Sequence, residues 1–156
     1  MLRNQPPFPP IRGMARAFWA DIRKNAAVQG GSTITQQFVK NQLTGSQRSV
    51  TRKLKEAALA WQLEQKWSKD KILTAYLNTI YFGNGAYGVE RAARTYFGHD
   101  AAKLTLSQAA LLAGIPEDPT LYDPVAHPAT AKARRTTVLH LMLQQHIIDP
   151  LRYRRA

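Results

Sequence analysis

Four cations and one acid crowd a short stretch of this chain. Arg48, Arg52, Lys53 and Glu56 lie within nine residues, and Lys40 precedes them by less than ten. Fixed positive charge of this density suits a phosphorylated ligand, or a reacting group on which negative charge develops. The plainer reading is a surface ion pair, Arg52 with Glu56 at i, i+4 or Lys53 with Glu56 at i, i+3, worth about 0.3–0.5 kcal/mol. Two details weigh against it. The favourable helical order puts the acid first, and here the base comes first. Leu59 and Leu63 also follow Glu56 on its face, so the acid borders apolar surface. A lone acid among cations on a half-apolar face suits a charged substrate better than helix stabilisation.

A second feature lies just upstream. Gly30-Gly31-Ser32-Thr33 runs into a helix start, where free backbone N–H groups can hold an anion. The G-x-x-x-x-G-K-[ST] pattern of a nucleotide site is absent. Taken alone, the glycine pair reads as a tight turn and a cap. The four histidines, His99, His127, His140 and His146, show no metal-ligand spacing and read as structural or surface groups. Neither H-E-x-x-H nor G-x-S-x-G occurs.

These residues need helices to position them. Pro6, Pro7, Pro9 and Pro10 keep the opening extended. A helix fits Ile11 to about Asn25, with Met14, Phe18 and Ile22 on one face. Thr33 and Gln36 form a capping-box pattern that opens the next helix, which Gly45 ends. On it Ile34 and Phe38 supply an apolar side, and Gln37, Lys40 and Asn41 fall on another. A longer helix fits Ser49 to about Trp67, with Val50, Leu54, Ala57 and Trp61 as its stripe. Ser68 caps a fourth, lined by Ile72, Ala75, Tyr76 and Ile80. Gly83, Gly85 and Gly88 mark a loop. A helix from Gly88 to about Phe97 follows, closed by Gly98. Thr105 and Gln108 make a second capping box, opening Leu106 to Ala113. Pro116, Pro119, Pro124 and Pro128 mark an irregular crossing. The last long helix spans about Ala129 to His146, with a short one after Pro150. No period-two strand signal appears. The expected fold is all-α, a single domain of six to eight helices.

Composition agrees with a globular domain: 156 residues, 44% hydrophobic and 21% charged. With no cysteine, disulfides and thiolate metal sites are excluded. No run of 18 apolar residues could cross a bilayer as a helix. The net charge is +12, and residues 1–55 hold ten basic side chains against the single acid Asp21. Such a field attracts nucleic acid, anionic lipid or a phosphorylated substrate, and its sign alone does not choose among them.

The string Gly30-Gly31-Ser32-Thr33-Ile34-Thr35-Gln36-Gln37-Phe38-Val39-Lys40-Asn41 resembles the G-G-S-T-I-T-Q-Q-x-x-K-N motif of family 51 glycosyltransferases. These are the peptidoglycan polymerases of class A penicillin-binding proteins and monofunctional transglycosylases. Further blocks agree in order. Arg52 to Glu56 resembles the family's R-K-x-x-E motif. Lys69 to Asn78 resembles K-x-x-I-L-x-x-Y-L-N. Tyr81 to Glu90 resembles Y-F-G-N-G-A-Y-G-V-E, with a Y-F-G at Tyr96 to Gly98. Leu104 to Pro124 resembles L-T-x-x-x-A-A-L-L-A-G-x-P…Y-x-P. The likeness covers about Ile11 to Arg155, and His99 replaces a lysine common after Y-F-G.

The resemblance implies a lysozyme-like α fold on the outer face of the cytoplasmic membrane. It implies polymerisation of lipid II into glycan strands with inversion, undecaprenyl diphosphate leaving. It assigns Glu56, Lys53 and Arg52 to catalysis. Ser32, Thr33, Gln36, Gln37, Lys40, Asn41, Arg48, Tyr76 and Asn78 would bind substrate. It makes no cofactor certain and leaves room for a divalent cation. The implied partners are lipid II, the growing glycan, an anionic membrane surface and cell-wall synthesis proteins, with no nucleic acid expected. The family's E-D-x-x-F-x-x-H-x-G motif, which carries the glutamate taken as general base, has no counterpart in residues 1–20. The anchor and a transpeptidase domain have none either. The expectation is a glycosyltransferase domain whose turnover is impaired. Leu121-Tyr122-Asp123-Pro124 and the long closing helix resemble the bifunctional proteins more than the monofunctional ones. The rival readings are a noncatalytic phosphoglycolipid-binding module, a basic nucleic-acid-binding module, and a muramidase, which would have no use for the cation cluster.

Overall fold

The computed structural model describes the backbone of residues 33–43 and 50–156, and the side chains of these except 43 and 50–54. The expected helix from Ile11 to Asn25, the Gly30–Ser32 turn, Gly45 and Arg48 lie outside the described residues. Within them the chain forms seven α-helices: α1 (Ile34–Leu43), α2 (Val50–Lys66), α3 (Lys69–Thr79), α4 (Val89–Phe97), α5 (Leu106–Gly114), α6 (Pro128–Gln144) and α7 (Pro150–Arg155). Single 3₁₀ turns at Ala101–Lys103 and Ile115–Glu117 join the later ones. Among the described residues there is no strand, only an antiparallel bridge between Tyr81 and Tyr87.

Local chemistry sets most boundaries. The Thr33 hydroxyl accepts the Gln36 N–H at 3.2 Å, and the Gln36 Oε1 accepts the Thr33 N–H at 3.3 Å. The same reciprocal pair, Thr105 and Gln108, opens α5. Ser68 accepts from the Lys71 N–H to start α3. Each such cap satisfies backbone donors that the first helical turn leaves orphaned. Gly98 closes α4 in the left-handed conformation.

α1 packs on α2 and α3, and α5 lies along α6. The core runs between these groups through Ile34, Tyr76, Phe82, Leu112, Ile115 and Val138. Each large apolar side chain removed from water there contributes about 1.5–3 kcal/mol. Trp67 ties the first three helices together. Phe38 of α1 packs against its ring, and the Lys71 ammonium of α3 sits 4.3 Å from its centroid. At the other end, the Arg134 stem crosses Gly114, where a Cβ would come within 2.7 Å of the arginine Cγ. Its guanidinium pairs with Glu117 and covers the Tyr122 ring.

Two expectations are corrected. The inner face of α2 is not the Val50, Leu54, Ala57, Trp61 stripe: Ala57 is exposed and Trp61 is 64% exposed. The face turned inward carries Glu56, Ala60, Leu63 and Trp67. That register brings Trp67 to Phe38, a contact the other stripe would forfeit. The last long helix begins at Pro128 and stops at Gln144. Pro128 belongs to its first turn, where a missing N–H costs nothing. His146 lies beyond it at φ +55°. The His146 N–H donates to Leu143 and the Ile147 N–H to Met142, the two bonds of a Schellman motif. His140 and His146 therefore do not share a helix.

Candidate functional site

The residues of α1 divide as the spacing predicted. Ile34 and Val39 are buried, Phe38 is half-buried, and Lys40 and Asn41 are exposed. Gln37 is half-buried between these sides. Its Oε1 accepts a hydrogen bond from the Tyr76 hydroxyl at 3.0 Å, joining α1 to α3. Tyr76 is 1% exposed. Burial pushes its hydroxyl well above the ordinary tyrosine value, so the group stays protonated and can donate.

Glu56 is 2% exposed, the only buried acid among the described residues. It sits on the inward face of α2, within the three-helix group that α1 and α3 complete. A carboxylate is almost never buried unless paired, and Glu56 is held by interactions of its own. This excludes an exposed surface ion pair as its role. Arg52 falls one turn earlier on the same helical face, and Lys53 three residues before Glu56. Their side chains, and Ser32 and Arg48 altogether, lie outside the described residues.

Thr33 and Gln36 spend their side chains on the α1 cap. Asn78 is exposed near the end of α3, and its carbonyl lies beneath Gly88, where a Cβ would approach to 2.5 Å. The structure thus brings Gln37 and Tyr76 into contact, leaves Lys40 and Asn41 on the surface of the same helix, and sets Asn78 against the glycine loop. Sequence reasoning missed Thr35, a polar side chain 3% exposed within α1. It falls inside the T-I-T string, but the apolar spacing gave no reason to single it out. The glycine loop is likewise held from outside. Asn84, at φ +47°, donates to both Asp123 carboxylate oxygens at 3.1 Å, and Tyr96 donates to the Phe82 carbonyl at 2.7 Å. Among the described residues no three of histidine, aspartate and glutamate gather in a way that could hold a metal ion.

The model of the transglycosylase family matches residues 10–143. The chain belongs to this family. Penicillin-binding protein 1A of Aquifex aeolicus (strain VF5) is 48% identical over 143 residues, 92% of this chain and 20% of that protein. Penicillin-binding protein 1A/1B of Bacillus subtilis (strain 168) is 47% identical over 148 residues, 94% of this chain and 16% of its own length. The crystal structure of penicillin-binding protein 1A from Haemophilus influenzae matches all of this chain with a TM-score of 0.62 and 27% identity, over 17% of its own length. The transglycosylase chain thus spans about a fifth or less of the relatives it matches, and its fold is the all-α, lysozyme-like one. Among its described residues no helix is long and apolar enough to cross a membrane.

Proposed function

We infer that residues 1–156 form a peptidoglycan glycosyltransferase domain that joins lipid II units into glycan strands. Membership of the transglycosylase family supports this, and one structural observation carries the site: a buried glutamate, Glu56, on a helix packed against the one that presents Gln37, Lys40 and Asn41. The 4-hydroxyl of the acceptor attacks the anomeric carbon of the growing chain. The anomeric C–O bond breaks with inversion, and undecaprenyl diphosphate leaves. Negative charge grows on that diphosphate, so fixed cations lower the barrier. Lys40, Arg48, Arg52 and Lys53 supply them. Glu56 holds the cations in place. Ser32, Gln37 and Asn41 bind donor sugar and phosphate groups. No step is routed through a metal ion.

Of the other described acids, Glu64 and Asp70 are exposed on α2 and α3, Glu90 and Asp100 bind Arg94, Glu117 binds Arg134, Asp123 holds Asn84, Asp118 accepts from loop N–H groups, and Asp149 caps α7. On this reading Glu56 serves the leaving-group cations, the wrong partner for deprotonating an acceptor. A positioned base contributes about 10²–10⁴-fold. The 156-residue polypeptide by itself is therefore expected to bind lipid II and polymerise it poorly. Glycan formation from labelled lipid II tests this, with and without an E-D-x-x-F-x-x-H-x-G segment placed upstream. Binding without turnover, recovered by the segment, supports the reading. Absence of lipid II binding overturns it.

A further inference from the structure

The turn at Gly83–Ala86 is closed by the Ala86 N–H, which donates to the Gly83 carbonyl at 2.8 Å. Its central residues are Asn84, at φ +47°, and Gly85, at φ +70°. Two positive φ values mark a type I′ turn, and Asn-Gly is its favoured pair. The same pair carries a chemical liability. With no Cβ on the following residue, the Gly85 nitrogen is an unhindered nucleophile toward the Asn84 side-chain amide carbon. Both residues are exposed, so water reaches them. We propose that Asn84–Gly85 is a latent deamidation site, which Asp123 and Tyr96 hold closed. The liability is independent of any glycosyltransferase activity.

In the reaction the Gly85 nitrogen forms a bond to Asn84 Cγ and gives up its proton. The Cγ–Nδ2 bond breaks, and ammonia leaves with that proton. Water then opens the cyclic imide to an aspartate or an isoaspartate at position 84. The fold opposes ring closure at both reacting groups. Asn84 Nδ2 donates to both Asp123 oxygens at 3.1 Å and to the Tyr96 hydroxyl at 3.2 Å. A carboxylate only accepts, so Asp123 settles which end of the amide is nitrogen. To close the ring, the carboxamide must leave Asp123 and fold back over its own peptide. The nucleophile is held as well: the Gly85 N–H donates to the Tyr81 hydroxyl at 3.4 Å. Reaction therefore passes through an opened turn, whose population the charge-assisted bonds hold down. Once formed, an acid at position 84 sets a second carboxylate against Asp123, and like charges repel. Asp123 also accepts the Val125 N–H at 2.8 Å. Its bond to Asn84 thus ties the glycine loop to that second loop, and deamidation releases the tie irreversibly.

The test incubates the 156-residue chain in mildly alkaline buffer beside a free peptide of residues 80–90. Mass spectrometry after digestion reads the exchange of amide for acid at position 84. The folded chain should react at least about tenfold more slowly than the peptide. Equal rates overturn the proposal. Asp123→Ala should accelerate the folded chain at least about tenfold. An unchanged rate in that variant overturns the proposal, and so does a slower one, because Asp123 would then assist the reaction. Should Asp123→Ala fail to fold, Tyr96→Phe, which removes the other acceptor of Asn84 Nδ2, decides in its place by the same outcomes. Asn84→Asp stands for the product and should lower the melting temperature. Adding Asp123→Asn exchanges donor and acceptor and should recover most of that loss. No loss in the single variant, or no recovery in the double one, overturns the release of the tie.

Discussion

The Tyr76 hydroxyl and the Gln37 carboxamide are 39 residues apart in the chain and 3.0 Å apart in space. That bond crosses from the buried face of α3 to the edge of α1. It ties the polar side of α1 to the core through α3.

Charge on that polar side should govern affinity. Lys40 is exposed in the last turn of α1, where it can meet a diphosphate without first breaking out of the core. A charge-assisted contact is worth about 1.5–3 kcal/mol. Lys40→Ala and Arg48→Ala should each weaken phosphoglycolipid binding at least about tenfold by calorimetry. Unchanged affinity in both would remove the cation cluster from the site.

Glu56 behaves differently from an exposed acid. Its burial means that truncation strands the groups bonded to it inside the protein. Glu56→Ala should cost about 1–3 kcal/mol in chemical denaturation, against about 0.5 kcal/mol for a surface pair. Glu56→Gln keeps the shape and one acceptor, and should recover most of that stability while binding stays impaired. A Glu56→Ala variant of normal stability would show that the carboxylate is solvated.

The caps were legible because they are local. Thr33 with Gln36, Ser68, Thr105 with Gln108 and Gly98 each act within four residues, and the structure uses every one of them. The face of α2 was not legible. Two apolar stripes of helical period run along it, and only the partner, Phe38 meeting Trp67, selects between them. The burial of Glu56 follows from that selection. The Tyr76–Gln37 bond was beyond reach for the same reason: spacing flags residues on one helix and is silent about which helices meet. Pairing across 39 residues is decided by packing.

Gly88 is fixed by two independent demands. It has φ +85°, a conformation costly for any side chain, and a Cβ there would lie 2.5 Å from the Asn78 carbonyl oxygen. Gly88→Ala should therefore lower the melting temperature sharply, and Gly85→Ala far less. Gly85 also has positive φ, but a Cβ there meets nothing within 4 Å. Equal losses would mean that strain alone, without the clash, sets the cost.

His146 occupies the left-handed position of the Schellman motif after α6, at φ +55°. Glycine is the usual occupant because it has no Cβ to strain. His146→Gly should stabilise the chain by about 0.5–1 kcal/mol, or roughly 1–4 °C in melting temperature. A loss of stability would show that the imidazole makes a compensating contact.

Acid should weaken the fold through the carboxylates that cap it. The Ala101 backbone N–H and then Arg94 hold the Glu90 carboxyl below its ordinary value of 4.5. The Arg152 backbone N–H does the same for Asp149, ordinarily 3.8. For a carboxyl lowered in the folded state, the unfolded chain binds the proton first. The stabilisation is whole above the ordinary values and is lost as pH falls through the lowered ones. Melting temperature should therefore decline below about pH 4.5. In Glu90→Gln the decline should be shallower, because the variant starts without that contribution at neutral pH and has less to lose. Both groups are exposed, so salt should blunt the effect. The decisive comparison is the slope of melting temperature against pH between 3 and about 5, wild type against Glu90→Gln at low ionic strength. Parallel slopes would mean that Glu90 titrates alike folded and unfolded, and that the Ala101 and Arg94 contacts do not form in solution.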